Sequence, residues 1–475
     1  MDKVKRGCDH RQVTIRCLPS WLIALLFFAT TLLSRIPTFS QSVLDWDESL
    51  YFLMAQQWRH GHLPYTTIWD NKPIGIYAIF AVAQTMFGDG VASIRLAMVL
   101  CVSVLAFAVF RITRALTDDD AAGLAAGAAL ILCSLSNDGL SSNTELFMAC
   151  CTALAVWVSL TSERAFLVGL LLGAAFMIKY VSIFETPAIF FFLLVRHRRL
   201  AAGLRMILGA AMPLALTALL YAVHGRFGLW WATSIASNFR RVDAPFTKQA
   251  FDYALHIELL RWGTMYLAGL ALLVLAAARR RATDLFLAAW LLGGAVGVVS
   301  AKSFYDHYFL QVLPVLCVIL GVLFARVGRT PWIGASFVVV ALALPAWAAK
   351  TSIGHILAPD IPAEVGATLK GEPGSLYVFD TQPIIYALAG KTPPTRFVLP
   401  SELIGRSLPR VAGDDPVAEV ARILAGAPEF IVRRSSPETN PTIINPAVYA
   451  EVDAAVEAYY RLWRRYPGIL VFRRK

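Results

Sequence analysis

Charge is scarce in this chain: 16% of its 475 residues are Asp, Glu, Lys or Arg, against 57% that are hydrophobic. So few charges cannot cover the surface of a soluble protein of this length, and the mean hydropathy of +0.60 agrees. Cysteine is sparse as well. The seven, Cys8, Cys17, Cys101, Cys133, Cys150, Cys151 and Cys317, avoid the long polar loops and the C-terminal region. That placement argues against a disulfide framework and against Cys-based metal binding, and they read as small apolar fillers. Internal repeats and low-complexity tracts are missing, which weakens an inverted-repeat transporter. A nucleotide-binding loop is also missing. The net charge of +11 brings no basic stripe with interleaved aromatics, which speaks against nucleic acid as a partner.

What the chain has instead is a series of apolar runs, each long enough for a hydrocarbon core of about 30 Å. Candidate spans lie near 20–37, 91–113, 121–136, 143–161, 165–181, 184–196, 205–224, 262–278, 284–301, 307–325 and 331–349, roughly eleven in all. The first run has no small-residue cleavage site and reads as a retained span. Basic residues cluster in the N-terminal tail (Lys3, Lys5, Arg6, Arg11, Arg16) and at 111–114, 196–205, 279–281 and 326–329. With a cytoplasmic N-terminus, eleven spans place every one of these segments inside. The same count puts the acidic loop 38–90 and the C-terminal region outside. The expected layout is a tail at 1–19, a transmembrane domain at 20–350 and an outer domain at 351–475.

Three outward segments exceed ordinary connections. Loop 38–90 shows amphipathic helical patterns at 47–60 and 74–87, divided by HLPYTTIWDNKP and suited to the interface plane. Segment 225–261 is rich in aromatic and basic residues, with Phe227, Trp230, Trp231, Phe239, Arg240 and Arg241. In the C-terminal region, strand-like runs at 376–380, 396–400, 429–434 and 469–474 alternate with helical patterns at 383–389, 415–426 and 446–463. The alternation predicts a small α/β domain.

The first loop opens on VLDWDESLYF, with Asp45, Asp47 and Glu48 at the bilayer edge. N-capping alone would explain acidic residues in a first helical turn. Chemistry is the sharper reading, because an ionised group there is costly without a partner or a task. Lys72 follows in the same loop, and other outward turns carry Glu145, Lys179, Lys302 and His307. A carboxylate at headgroup level can take a proton from an attacking hydroxyl, and nearby cations can hold a departing phosphate. Lys179 reads equally as a snorkelling side chain. His60 and His62 lack a third ligand nearby and read as a polar turn. Asp45 reads as a cap or a surface charge.

The ordered motifs resemble the GT-C glycosyltransferases. They are Asp47-Glu48-Ser49-Leu50-Tyr51, Gly61-His62-Leu63-Pro64-Tyr65, Asn71-Lys72-Pro73-Ile74-Gly75-Ile76-Tyr77, and Phe87-Gly88 through Arg95-Leu96. The protein-O-mannosyltransferase branch is the most similar; it includes enzymes that add aminoarabinose to lipid A and galacturonic acid to lipopolysaccharide. The resemblance covers roughly residues 20–350 and implies a polytopic α-helical membrane fold with a small C-terminal domain. It implies that Asp47 and Glu48 are the catalytic acidic pair, Asp47 being the general base, and that Lys72 binds the donor phosphate. Arg240 and Arg241 are further phosphate candidates by location. Glu145, Lys302, His307 and Tyr308 are implied in substrate binding, with Pro314 completing an H-Y-x-x-x-x-x-P pattern. This chain reads Lys72-Pro73-Ile74 where many relatives read Lys-Pro-Pro.

The resemblance further implies an inverting transfer from a polyprenyl-phosphate sugar to a lipid A, glycan or protein acceptor at the outer face of a bacterial inner membrane. Its partners are then that donor, that acceptor and membrane lipids. The motifs require no cofactor and no metal, although some GT-C enzymes use a divalent cation. A transporter or lipid flippase is the competing class. It accounts for the spans but not for charges gathered in loops. A non-catalytic relative that keeps the fold is the third.

Overall fold

The computed structural model describes residues 19–242, 247–327, 331–405, 412–436 and 444–475. Helix α1 (Ser20–Arg35) leads into loop 38–90, which carries α2 (Trp46–Arg59) and α3 (Gly75–Phe87). Then come α4 (Ala92–Thr117), α5 (Asp120–Cys133), α6 (Thr144–Thr161), α7 (Ala165–Ile178), α8 (Thr186–His197) and α9 (Leu200–Val223). After α10 (Phe227–Trp230) and α11 (Ser237–Val242) follow α12 (Lys248–Arg279), α13 (Ala282–Ser300), α14 (Leu313–Val327), α15 (Pro331–Ile356) and α16 (Ile361–Lys370). Among the described residues, nine helices are long and apolar enough to cross a membrane. The shorter apolar helices α5 and α7 stand where the two other expected spans lie. The two amphipathic helices of the first loop form within a residue of their expected starts.

Segment 225–261, expected as an outward loop, is largely helical. Trp231–Ala236 forms a π-helical stretch between α10 and α11, and α12 already starts at Lys248. At about 1.5 Å per residue, a straight α12 would overrun a hydrocarbon core of about 30 Å. It breaks at Trp262, whose φ of −127° and ψ of 18° are non-helical. The break separates a polar first part, with Glu258 and Arg261, from the apolar remainder.

The C-terminal sheet has strands β1 (Leu376–Val378), β2 (Phe430–Arg434), β3 (Tyr460–Tyr466) and β4 (Ile469–Arg474), in the order β1-β2-β4-β3. Only β1 and β2 pair in parallel; the other pairs are antiparallel. Two expectations are corrected. The run 396–400 is no strand: prolines at 393, 394 and 400 bracket it, and it turns into the short helix Pro400–Leu403. The helix expected over 446–463 stops at Tyr459, and β3 begins there. Pro467-Gly468 makes β3 and β4 a hairpin, with Gly468 at φ +78°.

A buried ion pair fixes the first loop to the helices behind it. Glu48 and Arg95 on α4 are both 1% exposed and form a two-point pair, with Nη2 2.7 Å from Oε1. Glu48 also accepts from the amides of Ser142 (2.7 Å) and Leu44 (3.2 Å). Arg95 donates on to the carbonyls of Thr38 and Gln41, so one guanidinium ties the loop's first residues to α2. Removing one member of such a pair leaves an uncompensated buried charge, a loss of about 3–5 kcal/mol. Thermal unfolding in detergent should therefore show Glu48→Ala far less stable than wild type. The double replacement Glu48→Met with Arg95→Met should recover much of that loss, and equal damage in both variants would show that the ion pair is not what holds the loop.

Candidate active site

Loop 62–73 has few regular backbone hydrogen bonds, so side chains supply them. Tyr65, at φ +69°, donates from its hydroxyl to the carbonyl of Lys72 at 2.6 Å. Asn238 of α11 donates to the carbonyl of Asn71 at 2.7 Å, and Tyr221 of α9 to that of Pro64 at 3.1 Å. The amide of Trp69 donates to the carbonyl of Arg396 in the C-terminal region at 2.9 Å. At Gly75 a Cβ would stand 2.3 Å from the carbonyl oxygen of Met177. That close approach seats the start of α3 against the end of α7, two residues before Lys179.

The Lys72 ammonium lies 3.2 Å from Asp47 Oδ2 and 3.6 Å from Asp70 Oδ2. It also lies 5.1 Å from the centre of the Tyr51 ring, whose hydroxyl donates to Asp47 at 3.2 Å. Burial pushes the Asp47 carboxyl up, but Lys72, His307 and Lys179 outweigh it and hold the group at about 2. Asp70 is buried and receives the Tyr77 hydroxyl at 2.8 Å. Its burial outweighs Lys72 and raises it. Sequence reading missed Asp70. Its signal was position: two residues before Lys72, on a loop that folds back.

Asp45 was expected to be a cap or a surface charge, and it makes no capping bond. It occupies the N-cap position of α2 with no side-chain capping bond, and its Oδ2 accepts from Asn143 Nδ2 at 2.8 Å instead. Burial, together with the neighbouring charge of Asp47, pushes its carboxyl up to about 6.

A second group of side chains meets the first. Glu145, in the first turn of α6, forms an ion pair with Lys179 and accepts from the Thr144 hydroxyl at 3.0 Å. His307 Nε2 is 3.9 Å from Glu145 Oε1, and its Nδ1 is 3.8 Å from Asp138 Oδ2. Lys179 also sits 3.9 Å above the ring of Tyr308, so it is placed with the acidic cluster. Glu145, His307 and Tyr308 thus come together. Lys302, at φ +57°, lies two residues past the end of α13, on the turn that leads to His307. Arg240 is exposed, its guanidinium beside Gly413, and the Arg241 side chain lies outside the described residues. Glu48 is turned away from this cluster by its pair with Arg95. His60 and His62 are exposed in the turn after α2. Among the described residues, no three His, Cys, Asp or Glu side chains are grouped to hold a metal ion.

Residues 71–224 match the family model described as dolichyl-phosphate-mannose-protein mannosyltransferase. No curated protein matches the chain. Among solved structures, ArnT from Cupriavidus metallidurans bound to undecaprenyl phosphate is similar with a TM-score of 0.67 at 15% identity, over 96% of this chain and 98% of that one. The same protein in its apo state gives 0.64 at 14% identity, over 95% and 97%. The archaeal oligosaccharyltransferase AglB from Archaeoglobus fulgidus, in complex with an inhibitory peptide and a dolichol-phosphate, gives 0.54 at 12% identity, over 96% and 74%. At these identities the likeness to solved structures is one of fold. The family match begins at Asn71, on the loop that presents Lys72.

Proposed function

We propose that the protein is an inverting glycosyltransferase of the periplasmic face of a bacterial inner membrane. It takes one sugar from a polyprenyl-phosphate carrier and passes it to a hydroxyl of a lipid A, glycan or protein acceptor. The observation that carries this reading is the Asp47–Lys72 pair, 3.2 Å apart on one loop, beside the ends of the membrane-crossing helices. The undecaprenyl phosphate bound to ArnT and the dolichol-phosphate bound to AglB support a lipid-phosphate donor.

In the proposed step the acceptor oxygen attacks the anomeric carbon from the face opposite the phosphate. Its proton goes to the Asp47 carboxylate. The bond from the anomeric carbon to the phosphate oxygen breaks, and its electron pair leaves on the lipid phosphate beside Lys72. The single displacement inverts the anomeric centre. Held at about 2, Asp47 is a poor base at rest, because the Lys72 cation favours its charged form. A donor phosphate that draws the ammonium away would restore its basicity only when the donor is in place. Glu48, which touches none of the cluster, is a positioning residue in this scheme.

With purified protein and a polyprenyl-phosphate sugar, Asp47→Asn should lower kcat by about 10²–10⁴-fold, the usual worth of a general base. Lys72→Ala should remove transfer together with binding of undecaprenyl phosphate, and Lys72→Arg should restore part of the binding. Transfer that survives in both Asp47→Asn and Lys72→Ala would overturn the assignment. Movement of a lipid across vesicles without donor consumption would establish the transporter class instead.

Asp45 makes a separate prediction. Its folded-state value of about 6 lies above the ordinary 3.8. The native state therefore holds more protons than the unfolded one between those values, and stability falls as pH rises through that window. Asp47 works in the opposite sense, but only between about 2 and 3.8, below that window. Thermal melts should show Asp45→Asn gaining on wild type between pH 4 and 7. A difference that does not change with pH would remove Asp45 as the titrating group.

A further inference from the structure

One buried carboxyl lies outside the cluster. Glu185, immediately before α8, is 1% exposed, and neutral donors meet both of its oxygens. The Trp290 indole of α13 donates to Oε2 at 2.6 Å, and Gln311 Nε2 donates to Oε1 at 2.8 Å. Gln311 is itself buried, and the same amide reaches the carbonyl of Val181 at 3.3 Å.

Glu185 thereby joins two short 3₁₀ segments that carry the second group of side chains. One, Tyr180–Phe184, follows Lys179 directly; the other, Asp306–Val312, carries His307 and Tyr308. Such segments have poor hydrogen bonds of their own, so cross-links decide where they sit. Helix α13 seats both. A Cβ at Gly293 would stand 2.5 Å from the carbonyl oxygen of Phe184, and one at Gly297 would stand 2.5 Å from Gln311 Nε2. Lys179 is extended between α7 and its segment, at φ −153° and ψ 126°. Its ammonium meets Glu145 of α6 and lies 3.9 Å from the centre of the Tyr308 ring. A slip of one segment past the other would part the ammonium from the ring. A carboxylate buried with neutral donors alone is costly. A buried network whose acceptors are all filled is rigid, and rigidity between these two segments is a task that accounts for the cost.

We propose that Glu185 is a positioning residue: through Gln311 it holds the Tyr308 ring against Lys179, and so fixes the Lys179–Glu145 pair beside His307. What the cluster then does rests on the glycosyltransferase reading above; the tie itself rests on geometry alone.

The test acylates the full-length protein in detergent with sulfo-N-hydroxysuccinimide acetate and reads the rates at Lys179 and Lys72 from one sample by peptide mass spectrometry. The two side chains are alike in exposure, 14% and 17%, so Lys72 serves as the internal control. Gln311→Met keeps the volume and removes the donor. It should speed acylation of Lys179 about tenfold, the worth of one hydrogen bond to a charged group, and leave Lys72 within about twofold. Glu185→Leu should do the same, and the double variant should add little, because both replacements cut one tie. Unchanged Lys179 rates in both variants, or an equal rise at Lys72 in Gln311→Met, overturns the proposal. Labelling needs no substrate, so it decides the role of Glu185 even in a preparation that transfers no sugar. Where transfer from a polyprenyl-phosphate sugar is measured, Gln311→Met should lower kcat about tenfold and keep the donor KM. A change in the donor KM alone also overturns the proposal.

Discussion

Asp47 and Glu48 are neighbours in sequence, and an α-helix turns neighbouring side chains about 100° apart. Here they face different partners. Glu48 points inward, where a carboxylate is tolerable only with full compensation, and Arg95 with two backbone amides supplies it. That compensation sets the rotation of α2. With the inward carboxylate locked, Asp47 has one direction left, toward Lys72. The buried pair thus aims the half-buried one.

The second constraint is charge balance. Asp47 and Asp70 share the Lys72 ammonium, Asp45 stands close enough to feel the charge of Asp47, and burial works against all three carboxylates. The balance settles unequally: Asp47 keeps its charge at the expense of the other two, because Lys72 is nearest to it. Across the cluster Glu145 has Lys179, with His307 close to both. A site in this condition holds one carboxylate firmly charged and biases two others toward their protonated forms, an arrangement suited to moving a proton and not to trapping it.

Much of this was legible in the sequence, and the reason differs by feature. The spans follow from length and hydropathy, which is why the expected start at 262 falls on the break in α12. Asp47 and Lys72 were legible because one loop, 38–90, carries both. Arg95 stood inside a motif, but nothing local says that its partner is Glu48, forty-seven residues back. Asp45 was misread because an acidic residue before a helix is usually its cap, and only tertiary packing brings Asn143 to it. Asp70 and Asp138 carry no periodic signal; their positions come from irregular turns held by distant side chains. In the C-terminal region, prolines and a hairpin overrode apolar runs that had matched strand and helix patterns.

The loop that carries Lys72 is tied to the C-terminal region. A loop without its own ladder must find partners for its backbone groups elsewhere. Here the carbonyls of Pro64, Asn71 and Lys72 are met by Tyr221, Asn238 and Tyr65, while the amide of Trp69 is met by Arg396. The Trp69 ring also packs on Phe397, 6.1 Å between centres. The run 396–400 gives up a place in the sheet and spends its backbone on the loop instead. Lys72 is therefore held from three sides: by its own loop, by the helices behind it and by the C-terminal region. A lysine that must stay near two carboxylates needs a fixed backbone, and these contacts supply it.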